Sequence, residues 1–182
     1  MSTLHLSATR TAIGARRCAR VVSEPEGADV LVVAFAGSPA RWLDTWRAVV
    51  DDPPRATFVV HDAASWLAGD PRDRVETVAS PDTTVQAELV NSPGNLTDLG
   101  VTLLEALEAH AAHDPRTILC FQSLTVLLQY APLDEVYQFL HTLVGHFDRF
   151  DAAGHFHLHE RAHDAETIDT LRPVFDRVRD GD

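Results

Sequence analysis

Apolar residues come in two rhythms along this chain. Short continuous runs, Val30 to Phe35, "ATFVVHD" from Ala56 to Asp62 and "RTILCF" from Arg116 to Phe121, are rich in β-branched and aromatic residues and bounded by turn signals. They read as strands covered on both faces. Between and after them apolar positions recur at helical spacing. Trp42, Leu43, Trp46, Val49 and Val50 follow an Ala36-Gly37-Ser38-Pro39 corner, and Asp51-Asp52-Pro53-Pro54 ends that helix. Leu96, Leu99, Leu103, Leu107 and His110 mark a second helical face, with Asn95 as N-cap, Asp98 three residues on and an end near His113. Ser123 opens the short helical segment "SLTVLLQY". Leu133, Val136, Tyr137, Leu140, Leu143, Val144, Phe147 and Phe150 define the longest pattern, with Asp134 and Glu135 near its positive end.

The remaining segments are shorter. "VETVAS" and "TTVQAELV" predict short strands before a Ser92-Pro93-Gly94 turn, and "GHFHLHE", Gly154 to Glu160, alternates like a strand. Asp164 is placed to cap a last helix carrying Ile168 and Leu171 until Pro173 interrupts it, and "VFDRV" predicts a final edge strand. Strands alternating with helices at this spacing predict an α/β fold: a doubly wound, mostly parallel sheet with helices on both faces and right-handed crossovers. The length of 182 residues suits one domain. Residues 1–22, polar, Arg-rich and weakly patterned, are expected to be an N-terminal arm or edge element, and residues 23–182 a single α/β domain.

Charge narrows the partners. The formal net charge is −12 and all 15 basic residues are arginine. A chain without a basic stripe is not expected to bind free nucleic acid. An acidic surface stripped of lysine fits a protein kept soluble in concentrated salt. The two cysteines, Cys18 and Cys120, are too few for a disulfide framework, and Cys120 sits in an apolar run where a buried thiol is the default. With no signal-like apolar segment and no run near the ~20 residues of a membrane span, the expectation is a cytoplasmic protein without membrane partners.

Candidate chemistry lies in two places. The strand-turn-helix from Val30 to Trp46 is the form of a phosphate loop, whose backbone N–H groups would hold an anion. Its residues are Gly37, Ser38, Pro39, Ala40 and Arg41 where G-x-x-x-x-G-K-[ST] would be required, and Pro39 removes a donor. Ser38 and Pro39 read instead as an N-cap and first helical residue. The second place is His155, His157 and His159, which share one face of a predicted strand. Residues two apart on a strand are ~7 Å apart, so three collinear imidazoles converge poorly on one tetrahedral ion. They are weak metal candidates, and no cofactor is expected.

The order of "VLVVAFAGSPARWLDTWR", "NSPGNLTDLGVTLLEAL", "RTILCFQSLTVLLQYAPLDEVYQFLHTLVGHFD" and "GHFHLHERAHDAETIDTLRPVFD" resembles a group of small haloarchaeal proteins of unknown function, themselves similar to the RecA/KaiC superfamily. The resemblance spans roughly residues 28 to 178. It implies nucleotide-binding ancestry with a degenerate site at Gly37, Ser38, Arg41, Gln122 and Ser123, where Gln122 stands in place of the Walker B acid. The expected function is a non-catalytic regulatory or protein-interaction domain with a protein partner or self-association. The alternative is a ligand-sensing or enzymatic domain that takes a small molecule at the C-terminal edge of the sheet, near Gln122 and His155, His157 and His159.

Overall fold

A computed structural model describes residues 1–7, 18, 28–35, 39–48, 55–61, 84–113 and 115–180. Strands β1 (Ser2–Ser7), β2 (Asp29–Ala34), β3 (Arg55–His61), β4 (Thr84–Val90), β5 (Thr117–Gln122), β6 (Ala152–His159) and β7 (Arg177–Asp180) form one seven-stranded sheet in the order β4-β3-β2-β5-β6-β1-β7. Every neighbouring pair is parallel. The α-helices that lie wholly within the described residues are α1 (Pro39–Arg47), α2 (Leu96–Ala111), α3 (Leu124–Tyr130), α4 (Leu133–Gly145) and α5 (Ala165–Leu171).

The two faces of the sheet bury different sets. Leu4, Leu6, Leu31, Val33, Leu119, Phe121, Phe156 and Leu158 pack in one cluster with Leu99, Leu103 and Leu107 of α2, Leu124 and Leu127 of α3, Leu140 and Leu143 of α4 and Leu171 of α5. Val30, Val32, Phe58, Val60, Ile118 and Cys120 face the other way, against Trp42, Leu43 and Trp46 of α1 and against Cys18. The chain is thus a doubly wound α/β fold with helices on both faces. Each strand from β2, β3 and β5 is covered twice, which is why it reads as an uninterrupted apolar run.

Helix ends obey the capping chemistry. The Asn95 side chain accepts from the Asp98 N–H, Ser123 from Val126 and Asp164 from Thr167. α4 stops at Gly145, and Phe147 and Phe150 of the predicted longer helix enter the core around a separate turn, Asp148–Phe150. β7 lies at an edge as expected of "VFDRV", but it begins only at Arg177, because Arg172–Val174 forms a short turn that delays the strand. The predicted strand "VETVAS" lies outside the described residues.

The first strand departs from the expectation of an arm or edge element. β1 is an inner strand, paired along its length with β6 and with β7 on its other side, and all six of its residues are buried. Its pattern is weak because Thr3, His5 and Ser7 are polar. The partner strands make that face an interior one.

Because all strands run the same way, their carboxyl ends share one edge. Chain direction reverses twice along it. β2 leads leftwards in the order, through α1 to β3, while its neighbour β5 leads rightwards through α3 and α4 to β6. Likewise β1 leads to β2 and its neighbour β6 leads to β7. Open α/β sheets bind ligands outside such reversals.

Candidate functional site: a buried histidine–cysteine cluster under the sheet edge

Two rows cross the sheet on the Cys18 side. In one, Ala34 of β2, Gln122 of β5, His157 of β6, His5 of β1 and Arg179 of β7 are successive register partners. In the other, one step back from the edge, the row is Val32, Cys120, His155, Thr3 and Arg177. Apolar side chains on β2 thus give way to polar ones on β6 and β1. These polar groups are inside the protein, with His5, His155 and His157 at 1%, 6% and 8% exposure.

Their contacts are mutual. Nε2 of His5 lies 3.1 Å from Nδ1 of His155, and the His5 ring stacks on His157 at 4.9 Å between centroids. The first contact needs one lone pair and one N–H, so the two rings do not both present protons there. Burial, followed by the charges of His157, Arg179, Arg116 and the N-terminal ammonium, lowers His155 to about 4. His155 is therefore neutral at pH 7. Sγ of Cys18 lies 3.1 Å from Nε2 of His157. Burial alone would raise the Cys18 thiol, but a hydrogen bond from Cys120, the charge and hydrogen bond of His157 and the Gln122 carboxamide together bring it down to about 6. Cys120 moves the other way, raised by burial and by the neighbouring Cys18 sulfur. The pair thus favours a thiolate on Cys18 beside a thiol on Cys120.

The residues singled out in the sequence fall unevenly. Gln122 and His157 are register partners in this cluster, and His155 is one row behind. Gln122 is half-buried, its Nε2 enclosed without a hydrogen bond of good geometry. Ser123 is a structural cap whose Oγ accepts from the Val126 N–H, and the Gln122–Ser123 peptide is cis. His159 lies at the strand's end, its backbone N–H donating to Thr125 Oγ1, which also lies 3.1 Å from Nε2 of His163. Among the described residues no group of three or more His, Cys, Asp or Glu is arranged to hold a metal ion. Gly37 and Ser38 lie outside the described residues, as does the side chain of Arg41. Asp44 lies 3.7 Å from Arg47.

His5 and Cys18 were missed by the sequence reading. His5 sits in the alternating "STLHLS", a strand signal too short to weigh against the Arg-rich stretch after it. Nothing local marks Cys18, because its partners are contributed by strands more than 100 residues away.

A second buried polar group closes the opposite edge of the sheet. Asp29, at 2% exposure, lies 3.7 Å from Arg55, and Thr57 Oγ1 lies 2.8 Å from Nε2 of His110. Burial, then the charges of Arg55 and His113, lowers His110 to about 4, while burial raises Asp29.

No curated protein matches the chain. A solved structure from Pyrococcus horikoshii OT3, described as the structural study of Project ID PH0250, is similar over 99% of this chain and 80% of that one, with a TM-score of 0.57 and 10% identity. That likeness speaks to the fold alone, and it agrees with the doubly wound parallel sheet. The model of a family of unknown function, DUF7504, matches residues 2–179, so the chain belongs to that family.

Proposed function

We propose that this protein is a non-catalytic regulatory or protein-interaction domain of RecA/KaiC ancestry, from a salt-adapted organism, in which the handles for nucleotide triphosphate have been lost. The supporting observation is chemical. Phosphoryl transfer in P-loop proteins relies on a lysine at the β- and γ-phosphates and a carboxylate that organises Mg²⁺. The chain has no lysine anywhere, so no loop at the sheet edge can supply one. The strands at the β2/β5 reversal end in Ala34 and Gln122, neither of which carries charge.

The expected partner is a protein or a second copy of the chain. The test is equilibrium binding of a fluorescent ATP analogue with Mg²⁺ in high salt, beside a phosphate-release assay and a pull-down from native lysate. Absence of saturable nucleotide binding together with a stoichiometric protein partner is expected. Saturable micromolar binding, or turnover above buffer, would place the protein among the nucleotide enzymes instead.

A second reading, sensing of a small molecule at the same edge, is favoured by the enclosed Gln122 Nε2 on the strand next to His157, its register partner. Native mass spectrometry of the purified protein separates the two. A co-purifying small molecule that Gln122→Ala releases would select the sensor.

A further inference from the structure

Cys18 and Cys120 invite the bland reading of small apolar fillers, since both are wholly buried in the cluster that contains Val30, Val32, Trp46 and Phe58. The surroundings of Cys18 do not fit a filler. Its sulfur is 3.1 Å from the imidazole nitrogen of His157, which is itself stacked on His5, and burying those imidazoles carries a desolvation cost that an aliphatic pair would avoid. Cys120 is register partner to His155 and shares the buried cluster of Cys18, whose sulfur raises the Cys120 thiol. A sulfur held against an imidazole, with a second thiol in the same cluster, combines the thiolate character of an oxidisable cysteine with a candidate resolving partner.

We propose that Cys18 is a modification site for hydroperoxides, with His157 as its positioning partner and Cys120 as the resolving thiol, so that oxidation joins the two cysteines in a disulfide. In the first step the Cys18 thiolate attacks one peroxide oxygen. The O–O bond breaks, an S–O bond forms, and hydroxide leaves and becomes water by taking a proton. The sulfur is oxidised to a sulfenic acid and the peroxide is reduced. In the second step the Cys120 sulfur attacks the Cys18 sulfur, an S–S bond forms, and the sulfenic oxygen departs as water with the Cys120 proton.

The chemistry is ordered by the pair itself. A Cys18 thiolate, favoured from about pH 6, is the form that reacts with peroxide, whereas Cys120 keeps its proton while that negative sulfur is next to it. Conversion of Cys18 to a neutral sulfenic acid removes the charge that holds the Cys120 proton in place. Both sulfurs are wholly buried, so the proposed reaction requires a small neutral oxidant, a hydroperoxide, admitted by local opening below the cost of global unfolding.

The experiment is treatment of the full-length native protein with hydrogen peroxide at several pH values, read by intact mass and peptide mapping, with the unfolding rate measured alongside. A loss of two hydrogens, a Cys18–Cys120 linked peptide, and a rate that exceeds unfolding and rises through about pH 6 are expected. Cys120→Ser should accumulate a dimedone-reactive Cys18, and His157→Gln should slow oxidation on the order of tenfold and move its pH midpoint upward. Should either variant fail to fold, the wild-type map and pH profile decide alone. Oxidation no faster than unfolding, or a midpoint near that of an ordinary thiol, would show the cysteines to be core fillers and overturn the proposal.

Discussion

Ser2 and Asp176, at opposite ends of the chain, are bound to each other by three hydrogen bonds: the Ser2 N–H and Oγ–H donate to Oδ2 of Asp176 at 2.6 and 3.1 Å, and the Asp176 N–H donates back to Ser2 Oγ at 3.1 Å. The Ser2 N–H holds the Asp176 carboxyl below its usual range, with help from the Ser2 hydroxyl against some desolvation. The pair sets the start of β1 beside the start of β7. Asp176→Ala is expected to lower stability by about 1 kcal/mol, since a hydrogen-bonded carboxylate near the surface is partly replaced by water. Deleting residues 1–7 is expected to abolish cooperative folding, because β6 loses its partner on one side and β7 pairs with no other described strand. Urea melts of the two proteins check both outcomes.

Three glycines separate steric need from mere tolerance. A Cβ on Gly154 would strike the Phe147 and Phe156 rings, and one on Gly94 would come 2.7 Å from the Tyr130 carbonyl oxygen. Gly154→Ala and Gly94→Ala are each expected to cost ~1–3 kcal/mol through forced displacement of packed groups. On Gly100, inside α2, the added carbon would meet Phe139 at 3.6 Å, an ordinary contact. Gly100→Ala should therefore raise stability by about 0.5–1 kcal/mol, the helical cost of glycine relative to alanine. A thermal-shift series on the three variants gives the signs directly.

Acid should weaken the fold well before carboxylates titrate. His110 and His155 have folded values of about 4, against an ordinary value of 6.5. Between those limits the unfolded chain binds more protons than the folded one, so stability falls as pH falls from 6.5 to 4. The combined loss is on the order of 2–4 kcal/mol, because each tenfold change in proton affinity corresponds to ~1.4 kcal/mol and partial relaxation around the imidazoles recovers some of it. Asp29, raised by burial, opposes this near the bottom of the window. Denaturation at pH 7 and pH 4.5 should show the drop, and His110→Asn should make the dependence shallower. An equal slope in the variant would mean that His110 is not one of the groups responsible.

Folding should also depend on salt. With a net charge of −12, self-repulsion acts against the compact state at low ionic strength, and salt both screens it and strengthens apolar burial. The melting midpoint is expected to rise between ~0.1 M and ~2 M KCl, concentrations whose screening lengths differ severalfold. An unchanged midpoint would overturn the salt-adapted reading.

The amino-acid order by itself determined the local elements and the class. Continuous runs such as "TILCF" become strands covered twice, the 3.6-residue rhythm of Leu99, Leu103 and Leu107 becomes one buried helix face, and Asn95, Ser123 and Asp164 cap helices because a side-chain oxygen next to free N–H groups acts locally. The missing lysine was equally legible, being a matter of composition. What only the tertiary structure decided is adjacency. Ser2–Ser7 reads as an arm because polar Thr3, His5 and Ser7 dilute its pattern, and it is interior because β6 and β7 close on both of its sides. His155, His157 and His159 look equivalent at a spacing of two, yet the first two face His5 and Cys18 while His159 ends the strand. Cys18 and His157 are 139 residues apart in sequence and 3.1 Å apart in space. No local propensity encodes such a contact, because strand order, not spacing along the chain, selects which side chains meet across a parallel sheet.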